Sequence, residues 1–299
     1  MDAYVWVDAH TNPTVSRQWS DLETYYIDQG EDLERAYLRA RESSRAMVLL
    51  CGDDRFVARV ATYVLLRHDP SMSTGLNFAP LWTRGLGIAQ TLARQSHIPR
   101  DDKRARRAFE RLVSRQRLEP IRVPTLRLTS TLRASASLGF TAGFGESVAV
   151  AKAYAQQTEQ SGLSALATMA RDAASGPKHT EDSDTPQKVT FDAVAVALEP
   201  LTLVSATPQT WFGVPMGTSG LGVRQGESLA QLAKWAASAQ VGLSRLRAGS
   251  QVSTVETIQW SGLQPYTLDG EVFEPAALET CQLSVGPTLR LVDWSASKR

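Results

Sequence analysis

The run Ala46-Met47-Val48-Leu49-Leu50 constrains this chain more than any other feature. Five apolar residues without alternation suit a strand covered on both faces, which belongs in the middle of a parallel sheet. Cys51-Gly52-Asp53-Asp54 follows as a strand-to-helix turn, and Arg55 to Leu66 then carries Phe56, Val60, Tyr63 and Val64 at the spacing of one helix face. Upstream, Ala3 to Asp8 reads as a first strand. Leu33, Ala36, Tyr37 and Ala40 recur at helical spacing after Gly30. Downstream, a strand is predicted over Leu76 to Leu81 and a helix over Gly85 to Arg94. Strand and helix alternate, so the first third is predicted to be an α/β domain on a parallel sheet. Ligands of such open sheets sit at the carboxyl ends of strands, which directs attention to the turns at 51–55 and 80–85.

Asp101 to Arg117 is predicted helical from Ala105, Ala108, Phe109 and Leu112, and its remaining positions are crowded with Lys103, Arg104, Arg106, Arg107, Arg111 and Arg115. A solvated face explains this basic stretch; contact with an anionic lipid surface is compatible with it. After Pro120 the pattern turns to strands: Thr125 to Thr131, Lys188 to Ala197, Leu201 to Ala206, Val252 to Trp260 and Leu283 to Val292. Alternation is clearest in Val189-Thr190-Phe191 and Leu289-Arg290-Leu291. The expected organisation is therefore an α/β domain over 1–122 and a mainly β domain over 123–299, with a mobile loop near 173–187, where Ser, Gly, Pro, His, Glu and Asp lack apolar periodicity. No internal repeat is read from the residues.

Composition narrows the function classes. Lys plus Arg number 32 against 31 Asp plus Glu, so no global field attracts nucleic acid, and no nucleic-acid partner is expected. Two cysteines make no disulfide framework, the start of the chain lacks signal-peptide order, and no run reaches the roughly 18 apolar residues of a membrane span. The expected compartment is the cytoplasm. The four histidines are scattered, so no metal site is expected, and no G-x-S-x-G elbow supports hydrolase chemistry. Cys51, at a helix start, reads either as a nucleophile or as a small packed residue.

Several segments, in order, resemble the diacylglycerol and sphingosine lipid-kinase family over nearly the whole chain. Gln264-Pro265-Tyr266-Thr267-Leu268-Asp269-Gly270-Glu271 and the residues Leu283 to Val292 resemble the family's aspartate-glycine-glutamate turn and the strand pair after it. Leu138-Gly139-Phe140-Thr141-Ala142-Gly143 and His97-Ile98-Pro99 add to the likeness. The resemblance implies an N-terminal domain like those of NAD kinases and phosphofructokinases, a β-rich second domain, and substrates in the cleft between. It implies transfer of the ATP γ-phosphate to a lipid hydroxyl with ATP and Mg²⁺ as cofactors. The expected partners are a lipid or amphipathic hydroxyl substrate, the inner membrane face through peripheral contact, and a second copy in a homodimer.

Carried over residue by residue, Glu271 matches the family's general base, while Gly52, Asp53 and Thr83 match its nucleotide loops. The family's glycine-glycine-aspartate-glycine-threonine loop is here Cys51-Gly52-Asp53-Asp54-Arg55, and its second loop is Pro80-Leu81-Trp82-Thr83-Arg84-Gly85. Arg55 and Arg84 stand as replacement anion ligands. Arg224-Gln225-Gly226 falls where an aspartate-glycine turn near magnesium is expected. Two readings stay open at two positions. Asp53 either contacts nucleotide or caps the following helix, and Asp269-Gly270-Glu271 is either a hairpin turn or the seat of a base. A pseudokinase that keeps lipid binding without transfer is the alternative to an active enzyme.

Overall fold

A computed structural model describes residues 1–10, 17–67, 76–81, 91–115, 118, 120–156, 189–198, 201–206, 210–211, 214–215, 220–226 and 251–295. The chain forms two compact units: residues 1–123 with 288–299, and residues 124–287. The last residues therefore return to the first unit, where a single division of the sequence placed them in the second.

In the first unit, β1 (Asp2–Asp8), β2 (Glu23–Ile27), β3 (Ala46–Cys51) and β4 (Leu76–Pro80) form a parallel sheet in the order β2-β1-β3-β4. The end of the chain's last strand joins β4 in parallel, with Leu291 opposite Phe78. All six residues of β3 are buried, as an unbroken apolar run requires. Met47, Leu49 and Cys51 share a core with Ala105, Ala108, Phe109 and Leu112 of α4 (Asp102–Ser114), so the intervening residues of β3 point to the opposite layer. On α1 (Gly30–Arg41), Leu33, Ala36, Tyr37 and Ala40 are all buried, and Tyr37 meets Tyr63 edge-on at 5.9 Å. α2 (Asp54–Thr62) runs on as a π-helical turn, Tyr63–Arg67, and α3 (Thr91–Gln95) is short. The expected helix over 85–94 starts at Thr91 among the described residues.

One member of the basic stretch is not solvated. Arg106 turns from the row to grip Asp21 at 2.7 and 2.8 Å and lies over Trp19 and Phe109, while Lys103, Arg104, Arg107, Arg111 and Arg115 stay exposed or half-exposed.

The second unit is a β-sandwich. Its strands are β5 (Pro120–Ser130), β6 (Ser137–Gly139), β7 (Thr141–Gly145), β8 (Val189–Phe191), β9 (Val194–Val196), β10 (Leu201–Ala206), β13 (Leu221–Gly226), β14 (Gln251–Val255), β15 (Thr257–Ser261), β16 (Tyr266–Leu268), β17 (Glu271–Phe273) and β18 (Thr280–Val292). β5 begins, and β18 ends, in the first unit. α5 (Glu146–Gln156) packs on β7, β10 and β16, and a short pair, β11 (Thr210–Trp211) and β12 (Val214–Pro215), lies in the connection. One sheet runs β9-β8-β15-β18-β5-β6 and the other β17-β16-β7-β10-β13-β14. Phe144 and Trp260, at 5.1 Å, lie in the shared core.

These two orders reveal an internal repeat that the residues hide. Replacing β5 to β10 by β13 to β18, in order, and the reverse, converts one sheet into the other. Each half lends its hairpin to the other half's sheet: β8–β9 pairs with β15, and β16–β17 pairs with β7. The segment predicted as one strand over 188–197 is consequently a hairpin turning at Asp192-Ala193, and the one over 252–260 breaks at Glu256, where the chain passes between sheets. The turn expected at Arg224-Gln225-Gly226 is instead the end of β13, with Gly226 opposite Leu201.

Candidate functional site

The turn from β3 to α2 gathers Gly52, Asp53 and Arg55. Asp53 has extended backbone at the helix N-cap, and its Oδ1 accepts a hydrogen bond from Phe56 N at 3.1 Å. Its Oδ2 accepts from Arg55 Nε at 2.6 Å and meets Nη2 of the same guanidinium at 2.6 Å. Asp54 adds a second carboxylate to the first turn. The helix N-terminus, the place where phosphate oxygens would find N–H groups and positive dipole, is thus already complemented by the chain's own acids.

Gly52 has a packing reason. A β-carbon there would lie 2.6 to 2.7 Å from three atoms of Phe56, whose ring covers the turn. The neighbouring strand end is closed in the same manner. Asp8, buried at the tip of β1, takes a 2.8 Å hydrogen bond from Arg59 Nη2 of α2, and that guanidinium also donates to the Ile27 carbonyl at 3.3 Å. Cys51 is buried; desolvation first, and then the charges of Asp102 and Asp8, push its thiol up to about 12. A thiol so protonated is not a nucleophile, which leaves the packed-residue reading. Thr83 and Arg84 lie outside the described residues, as does the loop near 173–187.

Glu271 belongs to the second unit. It opens β17 directly after a turn in which Asp269 and Gly270 have φ of 51° and 85°, the paired positive values of a type I′ hairpin. Asp269 supplies the anchor. Its Oδ1 accepts from Phe140 N and Thr141 N, each at 2.9 Å, and from Thr141 Oγ1 at 3.2 Å, while its own N–H donates to the Thr141 carbonyl at 2.8 Å. The two sequence pieces that resemble the lipid kinases, around Asp269 and around Phe140, are therefore bonded to each other. The Glu271 side chain is exposed and makes no hydrogen bond or ion pair among the described residues.

The repeat provides a comparison within the molecule. Asp192 and Ala193 have φ of 49° and 68°, Asp192 Oδ1 accepts from Glu256 N at 2.9 Å and Thr257 N at 2.8 Å, and its N–H donates to the Thr257 carbonyl at 3.1 Å. Asp192 thus matches Asp269, Thr257 matches Thr141, and Val194 matches Glu271. The aspartate is common to both hairpins because the turn needs it; the glutamate is not. Sequence reading singles out Glu271 as a candidate base and takes Asp269, an aspartate at the first position of an Asp-Gly turn, only as a turn former, without its bonds to Phe140 and Thr141.

Among the described residues, no three His, Cys, Asp or Glu side chains are placed to hold a metal ion. With Asp53 tied to Phe56 N and Arg55, the β3–α2 turn as folded does not fit a magnesium-bound triphosphate. No helix among the described residues is long and apolar enough to cross a membrane.

The whole chain has the fold of the diacylglycerol kinases. A candidate diacylglycerol kinase from Bacillus anthracis str. Sterne matches with a TM-score of 0.57 at 13% identity, over 96% of this chain and 94% of that one. A second structure under that description gives 0.54 at 13%, and a structure of a diacylglycerol kinase from the same organism gives 0.52 at 12%, each over 96% of both chains. At such identities the likeness establishes the fold alone. No protein-family model matches the sequence, and no curated protein matches it.

Proposed function

We propose that the protein recognises the hydroxyl of an amphipathic lipid through the Glu271 hairpin and acts as a diacylglycerol kinase-like phosphotransferase. The carrying observation is the exposed, unengaged carboxylate of Glu271 at a position where the equivalent hairpin of the repeat has Val194. Since the fold tolerates valine there, the fold does not require the acid, which is free to serve a bound hydroxyl. A carboxylate free of internal partners can accept the proton of a bound hydroxyl when the two come within hydrogen-bond reach. ATP, with Mg²⁺, is the donor this reading requires, and the Asp53–Arg55 pair must open before a triphosphate can approach the turn; no step is assigned to the donor as the turn stands.

A second reading, a pseudokinase that binds lipid without transfer, is favoured by one observation: the α2 N-terminus carries Asp53 and Asp54 where phosphate would bind. One pair of measurements separates the two. Purified protein is given Mg-ATP with diacylglycerol or sphingoid lipid in mixed micelles, and Mg-ATP binding is followed by calorimetry. Turnover that disappears in Glu271→Gln, with an unchanged melting temperature, supports the first reading. Turnover that survives Glu271→Gln removes Glu271 as the base. Absence of both binding and turnover, with lipid still bound, selects the pseudokinase.

A further inference from the structure

Four arginines of α4 form one straight row. At about 3.6 residues per turn, Arg104, Arg107, Arg111 and the C-cap Arg115 fall within about 80° of the helix circumference, and at about 1.5 Å of rise per residue they span about 17 Å. All four are exposed, and none is in an ion pair among the described residues. The acids of α4 and its cap are committed elsewhere. Asp101 accepts from Arg104 N at 2.8 Å as the N-cap, half-buried Asp102 acts on the Cys51 thiol, and Glu110 holds Arg106 at 3.0 Å.

The fold does not ask for this row. Neighbours of like charge three and four residues apart repel, and Arg104 stands in the first turn, where the helix dipole disfavours a cation. Arg106 shows what a structural arginine does on the same helix: it grips Asp21 and Glu110 and covers Trp19 and Phe109. The near-balance of 32 Lys plus Arg with 31 Asp plus Glu belongs to the whole chain and leaves room for a local row of this kind.

We infer that α4 lies along the phosphate backbone of duplex nucleic acid and binds it through charge. Three features select this partner. The charge is linear rather than spread over a face, and each strand of a duplex is a linear row of anions, one per about 3.4 Å of axis, whereas a bilayer surface is a plane. The charges are guanidiniums, which take phosphate oxygens in pairs. α4 has no large exposed apolar side chain, on which the centre of a protein interface is built, and its aromatic residue, Phe109, is buried, so it offers no platform for the bases of a single strand. The inference is independent of phosphoryl transfer: loss of turnover leaves it intact, and failure of duplex binding leaves the Glu271 test intact.

The experiment is fluorescence anisotropy of a short labelled DNA duplex titrated with the full chain over a range of salt concentrations. Four phosphate contacts, at about 0.9 each, predict that log K falls against log salt with a slope of about −3.6. The R107Q/R111Q variant is expected to bring the slope to about −1.8 and to weaken binding at low salt by about tenfold or more. Its melting temperature is expected to hold or rise, because repelling pairs are relieved. The R104Q/R115Q variant, at the two ends of the row, is expected to halve the slope in the same way, which keeps the test decisive if the first variant folds poorly. Arg35→Gln, on an exposed arginine of α1, is expected to bind like the parent. Absence of binding at low salt, or a slope that both double variants leave unchanged, overturns the inference. So does tighter binding of a single strand of equal length, or displacement of the duplex by polyglutamate or phosphatidylglycerol vesicles at equal charge, which would assign the row to an acidic protein or to a membrane.

Discussion

Asp269 and Glu271 stand two residues apart and have opposite relations to the fold. Asp269 spends its carboxylate on the N–H groups of Phe140 and Thr141, so Asp269→Ala leaves two backbone donors without their partner and should cost about 2–3 kcal/mol in denaturant unfolding. Glu271→Gln should leave the unfolding midpoint unchanged, because nothing in the fold uses that side chain. Ala193 gives the converse case: it holds φ of 68° where Gly270 holds 85°, and an L side chain there is strained. Ala193→Gly should therefore stabilise the chain by about 1 kcal/mol, and destabilisation would show that the two turns are not equivalent. The cysteines make a further residue-scale test. Both are buried and both thiols are pushed up by desolvation, Cys51 to about 12 and Cys281 to about 11, so neither should react with a thiol reagent at neutral pH until denaturant is added. Rapid labelling of Cys51 in the native state would return it to the list of nucleophiles.

At the scale of single elements, strands were legible where burial dictated composition and illegible where it did not. β3 is buried on both faces and therefore reads as an apolar run, whereas β2, Glu23-Thr24-Tyr25-Tyr26-Ile27, sits at the sheet edge with one fully buried residue and gives no such signal. β7 was hidden by glycine: a β-carbon at Gly143 would fall 2.4 Å from Ser147 Oγ and 2.9 Å from Thr267 Oγ1, so close packing of α5 and β16 selects residues that look like loop. The glycine of the β3–α2 turn was legible, but its cause was not. Resemblance attributes Gly52 to phosphate approach; the structure attributes it to Phe56. Gly52→Ala should accordingly destabilise the protein by about 1–3 kcal/mol in the absence of any nucleotide. In a double-mutant cycle with Phe56→Ala the two costs should fall partly short of additivity, since the substitution removes the two ring atoms of the clash and keeps the β-carbon at 2.7 Å. Full additivity would mean that the ring is not what excludes a side chain. The buried carboxylate of Glu279 has its own pH signature. Hydrogen bonding from Ser130 outweighs burial and holds this carboxyl below the ordinary glutamate range. A depressed folded-state pKa contributes stability above the unfolded-state value, and that stability drains away as pH falls through the folded-state value. Glu279→Gln should therefore flatten the acid limb of the stability profile below the glutamate range; an unchanged limb would place the linkage elsewhere.

Over the whole molecule, the α/β and β-rich parts were readable because strand-helix alternation and period-2 alternation differ, but the repeat within the sandwich was not. Its halves share positions rather than residues: Thr141 and Thr257, Asp192 and Asp269, and Ser205 and Ser284 coincide, while Gly143 answers to Gln259 and Phe144 to Trp260. A sandwich core accepts many apolar combinations as long as volume and pattern hold, so identity decays to the few polar residues that fix turns and crossings. The exchange of hairpins makes a physical demand. β8–β9 has its sheet partner, β15, in the other half, and β16–β17 has its partner, β7, in the first, so neither half can satisfy its strand edges alone. The pairing of β10 with β7 and β13, and of β18 with β15, does not depend on the covalent link between β10 and β11. Splitting the chain there, into 1–206 and 210–299, should give two fragments that are insoluble when expressed singly and that copurify as one folded complex when expressed together. The expected complex has the circular dichroism of the intact chain and a melting temperature that rises with concentration, as mass action requires. If either fragment folds by itself, the strands do not depend on the exchange; if the pair fails to assemble, the covalent connection supplies an entropy that the hairpins cannot replace.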